Sequence, residues 1–406
     1  MKNQKVNNWV QVKVIVQKYG GSSVADTSKI KKIAEKISSR VKQDNKIVAV
    51  VSAMGKTTDN LINTAKEITS NIDPRELDML LTTGEQVTAA LLSIALNDIG
   101  IKAKSLNAFQ LEILTTSDFN SARIKNLKVE KINKLLEEFD AIIVTGFQGI
   151  TEDGEITTLG RGGSDTSAVA LAAAMSVKCE IYSDVAGIFT TDPKFHPGAK
   201  KLKYVAYDEM LEMSSLGAKV LQSRSVEIAK KFNITIYCGS TFSDEEGSYV
   251  VEDYLEQPSV TGLSHVDKQT QVTISKLPLD YTLVHDIFEI VAAKDLNVDM
   301  ISIISNSGLN VSFTIIEDEK HHFEKALSEL LSDLPKLNIQ YHSGYSKISI
   351  VGIGMKSSSG VAAKYFEALN DIPVKLVTTS EIKISCLVEE KYKNDALNSL
   401  IKMFDL

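Results

Sequence analysis

Two glycine turns carry the residue types that hold and transfer a phosphoryl group. The run Thr158-Leu159-Gly160-Arg161-Gly162-Gly163-Ser164-Asp165-Thr166-Ser167 leads directly into a small, apolar stretch over residues 168–175. Glycines let backbone N–H groups approach an anion closely, and Arg161 adds fixed positive charge. The Ser/Asp/Thr cluster can cap a helix whose positive dipole end would face the ligand. A second turn, Lys18-Tyr19-Gly20-Gly21-Ser22-Ser23-Val24, follows the strand-like residues 12–16. Two such turns predict two phosphate contacts. Further loops of the same kind are Ser52-Ala53-Met54-Gly55 and Gly146-Phe147-Gln148-Gly149.

The elements that must position these loops follow from hydrophobic pattern. Short β-branched runs at 46–51, 141–144, 180–182 and 234–237 alternate with helical periodicity, which predicts an α/β domain with a mainly parallel sheet sandwiched by helices. In such a sheet, ligands bind where loops leave the carboxyl ends of the strands. The polar, acidic stretch 243–257 marks the end of this domain, set at 12–245. Beyond it the pattern becomes strand, helix, strand, strand, helix, with strands at 271–275, 298–305 and 310–316 and helices at 281–294 and 322–332. A further strand is expected at 338–341. The same order recurs from residue 347. Two tandem ferredoxin-like modules, 270–342 and 346–406, are expected, with a shared interface that suits a small effector.

Composition narrows the function classes. A 406-residue chain with 43% hydrophobic residues is long enough for two or three domains, and a net charge of -7 with scattered Lys and Arg gives no footprint for nucleic acid. No apolar run approaches the roughly 20 residues of a membrane span. The first eleven residues lack the apolar core of a signal peptide, so a cytoplasmic chain without a membrane partner is expected, its first ten residues forming a mobile tail. Cys179, Cys238 and Cys386 are odd in number and share no metal-ligand or redox spacing, which predicts reduced, buried thiols and no protein-bound metal.

With these motifs the chain resembles the aspartate kinases (aspartokinases) of the monofunctional bacterial type over nearly its whole length. The likeness rests on the two glycine turns and the Ser52 loop, on Thr83-Gly84-Glu85 and Gly146-Phe147-Gln148-Gly149, and on Thr190-Thr191-Asp192-Pro193 and Thr379-Ser380-Glu381-Ile382-Lys383. It implies an amino-acid-kinase domain followed by two ACT modules, and phosphorylation of the L-aspartate side chain by ATP with Mg2+. It also implies residue roles. Lys18, Asp165 and Lys219 would be catalytic. The nucleotide would meet Lys18, Tyr19, Gly20, Gly21, Ser183, Asp184, Phe189, Thr190, Thr191, Asp192, Pro193, Lys194 and Lys219. Lys194 stands where the family commonly has Arg. Aspartate would meet Ser52, Thr58, Glu85, Arg161, Gly162, Gly163 and Ser164, with Arg161 suited to a carboxylate by its planar fork. An effector pocket would be lined by Val298, Asp299, Met355, Ser380 and Glu381; its two acids favour lysine over threonine. A homo-oligomer, at least a dimer through the ACT modules, is expected.

Overall fold

The computed structural model describes residues 13–216, 220–254, 258–294, 296–305, 308–331, 338–356 and 358–406. They divide into two compact units. The first comprises the described residues up to Ile188, Lys201–Ser214 and 220–254; the second takes Phe189–Lys200, 215–216 and the described residues from 258 onward. Lys219 and the first ten residues, for which roles were expected, lie outside the described residues.

The first unit is built on an eight-stranded sheet. Its strand order is Tyr204–Ala206, Ser248–Val251, Ile236–Ser240, Cys179–Ser183, Lys13–Tyr19, Asn45–Val51, Ala141–Thr145, Ala103–Leu106. The central pairings are parallel, and Ser248–Val251 lies antiparallel to Ile236–Ser240. Strands covered on both faces read as continuous apolar runs, as Asn45–Val51 and Ala141–Thr145 do. Gln17 and Glu180 interrupt that pattern and are fully satisfied. Gln17 Nε2 donates to Glu180 Oε2 at 2.9 Å, Tyr182 Oη donates to the same oxygen at 2.9 Å, and Lys178 Nζ lies 2.6 Å from Oε1. By strand alternation this network occupies the face opposite Lys18.

Helices close both faces. Thr27–Val41 starts at Asp26, whose carboxylate accepts from the Lys29 amide at 2.9 Å, and buries Ile30, Ile33, Ala34 and Ile37 at helical spacing. The helical run Pro74–Asp98 is interrupted by Arg75, Glu76, Asp78 and Glu85, although one 18-residue window within it reaches a mean hydropathy of 1.4. Half of that window is buried inside the protein, and Leu81, Ala89, Leu92 and Leu96 belong to the core. A small four-stranded sheet, Ile124–Asn126, Leu114–Thr115, Gln148–Ile150, Ile156–Thr158, leads into the second glycine turn.

The second unit carries a six-stranded antiparallel sheet in the order Asp299–Ser305, Leu309–Ile316, Gly262–Leu277, Asn338–Val351, Lys383–Glu389, Val374–Thr379. The helices Tyr281–Ala293 and Lys320–Leu331 pack on Leu309–Ile316 and Gly262–Leu277, and Val361–Ala368 and Lys393–Phe404 on Asn338–Val351 and Lys383–Glu389. Two strands are long enough to serve both modules. Residues 338–341 and 347–352, expected as separate strands, are joined in the single strand Asn338–Val351, and its partner Gly262–Leu277 begins before the first module. Gly262 to Val266 pair with Val351 to Lys347, adding to the second module a strand that precedes the first in the chain. The register shifts between Val266 and Gln271, where Lys268 (φ 55°) and Gly344 (φ 82°) adopt left-handed backbone.

Candidate active site

Lys18 ends the central strand and reaches the start of the helix Gly163–Met175, where its ammonium lies 2.6 Å from the Asp165 carboxylate. Both side chains are nearly buried. The first glycine turn wraps this ammonium: a Cβ on Gly20 would stand 3.4 Å from Lys18 Nζ, and one on Gly21 would stand 3.0 Å from the Ala53 carbonyl. The Gly20 amide, expected to bind phosphate, donates to the Tyr182 carbonyl at 3.3 Å. That backbone bond ties the turn to the neighbouring strand. Asp165 sits in the first helical turn, where the dipole favours a carboxylate, and it fixes the lysine beside the same positive end.

Glu85 is the second buried charge. It lies in the first turn of Thr83–Asp98 at 3% exposure, and its Oε1 accepts from the Ala53 amide at 3.0 Å. Oε2 is buried without a hydrogen-bond partner. Burial pushes the Glu85 carboxyl up to about 7, against the pull of the Ala53 amide. The close seat of Gly84, where a Cβ would come 2.8 Å from Ala53 Cβ, brings Glu85 to the loop after the second strand. Ser52, whose amide donates to Tyr19 O at 3.1 Å, is half-buried in that loop, and half-buried Thr58 opens the next helix. The structure therefore links Lys18, Gly21, Ser52 and Glu85 through adjoining loops.

Arg161 is exposed and flanked by two left-handed glycines, Gly160 (φ 76°) and Gly162 (φ 70°). The helix that follows packs on the Gly146 loop. A Cβ on Gly146 would lie 2.7 Å from Ser164 Cβ and Oγ, and one on Gly163 would lie 2.8 Å from the Phe147 ring. Ser183 and Asp184 close the strand beside Lys18; Asp184 Oδ1 accepts from Ser22 Oγ at 3.5 Å, and the Ser183 carbonyl accepts from the Thr241 amide at 2.8 Å.

The segment Phe189–Lys200 belongs to the second unit. There the Thr190 carbonyl accepts from the Leu263 amide at 2.7 Å, Asp192 caps its own turn by accepting from the Lys194 amide at 2.8 Å, and Phe195 packs on the second module's core. Thr191 is buried and Pro193 half-buried, while Asp192 and Lys194 are exposed. The effector candidates fall in two places. Val298 packs on the first module's core and Met355 on the second's, with Ser380 and Glu381 exposed at the end of Val374–Thr379. Asp299 is ion-paired with the buried Lys347. Burial works to raise the Asp299 carboxyl, yet the bond and charge of Lys347 outweigh it and hold it below its ordinary value. All three cysteines are free and buried, as expected, and burial raises their thiols.

Sequence reasoning missed Asp78, Gln222, Arg224 and Lys347. A signal existed for Asp78, an acid inside the apolar run Leu77 to Leu81, and for Lys347, a cation at the start of an apolar strand. Their partners were not legible.

Comparison with known proteins supplies the class. Residues 13–240 match the profile of the amino acid kinase family, and residues 348–404 match that of an ACT domain. The chain is 47% identical over 400 residues to an aspartokinase of Bacillus sp. (strain MGA3) and 45% identical over 400 residues to one of Geobacillus stearothermophilus. Each alignment covers 97% of both chains. In fold it is similar to E. coli aspartokinase III solved with aspartate and ADP, with a TM-score of 0.83 at 23% identity, covering 97% of this chain and 100% of that one. The chain belongs to the amino acid kinase family and, within it, to the aspartokinases.

Proposed function

We propose that the chain transfers the γ-phosphoryl group of ATP to the side-chain carboxylate of L-aspartate, giving 4-phospho-L-aspartate. This would be the first step of the branch toward lysine, threonine and methionine, carried out in the cytoplasm. The observation that carries the reading is the Lys18–Asp165 pair, held at the end of a central strand between two glycine turns. An aspartate side chain, with an ordinary pKa of about 3.9, is ionised at neutral pH and needs no general base. The barrier is the approach of two anions, so positioning and fixed positive charge supply the catalysis. Lys18 carries that charge at the transferring group, and the amino end of Gly163–Met175 adds its dipole. Magnesium takes oxygen ligands and would arrive with the nucleotide phosphates, with the Asp165 carboxylate as the oxygen donor that would help hold it. Arg161 pairs with an aspartate carboxylate, and Glu85 Oε2 accepts the substrate ammonium. Lys219, Ser183 and Asp184 contribute to the nucleotide site.

The ACT modules bind lysine as an inhibitor in this reading. The Asp299–Lys347 pair supports it, since Asp299 already holds a primary ammonium on a four-carbon stem, the group that free lysine offers. The edge strand Asp299–Ser305, with exposed Ile301, Ile303 and Ile304, supports a homodimer through these modules. Hydroxylamine trapping of the acyl phosphate, with MgATP and aspartate and with or without lysine, tests the whole reading. Aspartate-dependent hydroxamate that lysine suppresses is expected. Hydroxamate unaffected by lysine removes the effector assignment, and none at all removes the reaction.

A further inference from the structure

All four main-chain polar groups of Thr158 and Leu159, the residues leading into Gly160, are committed. The Thr158 amide donates to Asp78 Oδ2 at 2.8 Å, and the Thr158 carbonyl accepts from the Ala122 amide at 2.9 Å. The Leu159 amide donates to the Phe147 carbonyl at 2.8 Å, and the Leu159 carbonyl accepts from Arg224 Nη1 at 2.6 Å. Two of these four partners are charged side chains from helices distant in sequence.

Asp78 lies on the helix Pro74–Leu81 and is fully buried. Besides the Thr158 amide it accepts from Thr158 Oγ1 at 2.6 Å and from the Asn120 amide at 2.9 Å. No cation pairs with it among the described ion pairs, so an apolar residue would pack this helix at lower cost. Its three bonds all go to the small sheet and the 120 loop. Arg224, in the first turn of Ser223–Phe232, is half-buried and forks between two carbonyls, its Nη2 donating to Ala122 O at 3.0 Å. Two residues earlier, at the helix N-cap, Gln222 covers Gly162 so closely that a Cβ there would stand 1.6 Å from Gln222 Cγ. On the other flank a Cβ on Gly160 would stand 2.8 Å from the Asn120 carbonyl. Gly160 and Gly162 are thus walled in, and Arg161 between them is the residue left exposed.

We propose that Asp78, Gln222 and Arg224 are positioning residues that clamp the 158–162 loop and set the direction of Arg161 toward the aspartate carboxylate. The inference rests on the reading of Arg161 as the aspartate contact. A guanidinium that must meet both oxygens of a carboxylate tolerates little displacement, which explains why the loop is tied on both flanks.

Steady-state kinetics of the full-length protein with Arg224→Lys, Asp78→Asn and Gln222→Ala test this, with thermal unfolding to verify folding of each variant. A lysine replaces the fork by a point charge that serves one carbonyl well, and an Asn keeps one accepting oxygen but turns the other into an NH2 that cannot accept, so Asp78's contacts on one side are lost. For folded variants the KM for aspartate is expected to rise about tenfold while the KM for MgATP stays within about twofold. In an Arg161→Ala background, adding Arg224→Lys should raise the aspartate KM no further, since the clamp then has nothing to aim. Equal rises in both KM values, or an additive effect in that background, overturn the proposal in favour of plain structural support. If Arg161→Ala by itself leaves the aspartate KM unchanged, the Arg161 reading fails. A rise from Arg224→Lys would then still support a clamp on the loop, and no rise overturns both.

Discussion

The Glu85 carboxyl keeps one oxygen on the Ala53 amide and leaves the other buried with no hydrogen bond, an arrangement that favours the protonated form. Its value rises from 4.5 to about 7. Within that window the native chain holds more protons than the unfolded one, so this group's contribution to stability is full at low pH and is lost as pH rises toward about 7. If Glu85 is the ammonium contact proposed above, a substrate ammonium at Oε2 would reverse the preference by pairing with the carboxylate. Aspartate binding should therefore release a proton near neutrality, and the aspartate KM should fall as pH rises through about 7. In Glu85→Gln that pH dependence should flatten and the KM should rise about tenfold or more, the magnitude of one hydrogen bond to a charged group. A pH series of KM values for both enzymes checks this; identical slopes would remove Glu85 from the substrate site. The need for a buried acid was legible in Thr83-Gly84-Glu85 only by resemblance, because the burial that shifts it comes from the Ala53 loop.

At the scale of elements, the site depends on how the helix Gly163–Met175 seats against the Gly146 loop. Ser164 stands where any side chain on Gly146 would project, at 2.7 Å from a built Cβ. Gly146→Ala should push the helix start, and with it Asp165 and Lys18, out of register. We expect destabilisation of about 1–3 kcal/mol, the usual cost of overpacking, with a fall in kcat larger than that loss explains. Thermal unfolding and kcat measured together decide it, and a wild-type kcat would show that the helix start has slack. The strands were readable at this scale because a parallel sheet buried on both faces demands continuous apolar runs, and residues 46–51 and 141–144 fall where Asn45–Val51 and Ala141–Thr145 form. The shared strands of the second unit were not, since residues 338–341 and 347–352 read as two segments while one strand runs through both.

At the scale of the molecule, the edge strand Asp299–Ser305 presents unpaired backbone and three exposed isoleucines, Ile301 at 46%, Ile303 at 43% and Ile304 at 55%. Proteins rarely leave such an edge open. If a second copy pairs there, Ile303→Lys should convert dimer to monomer in sedimentation velocity while leaving the first unit's fold intact. A dimer that survives the substitution would move the interface elsewhere.

The sequence by itself determined the class of fold and the two glycine turns, because strand periodicity, helix-start residues and turn glycines are local properties of the chain. It also named Lys18, Asp165, Glu85 and Arg161. Tertiary structure decided what each of these touches. Only the packed sheet brings Lys18 to Asp165, 147 positions apart in the chain by number, at 2.6 Å. It also directs the Gly20 amide to Tyr182 and seats Asp78 and Arg224 on either flank of the Arg161 loop. The second module likewise draws a strand from residues 262–266, ahead of the first. Those pairings join residues far apart in the chain, and no local pattern records which partner a buried charge or an unpaired strand will meet.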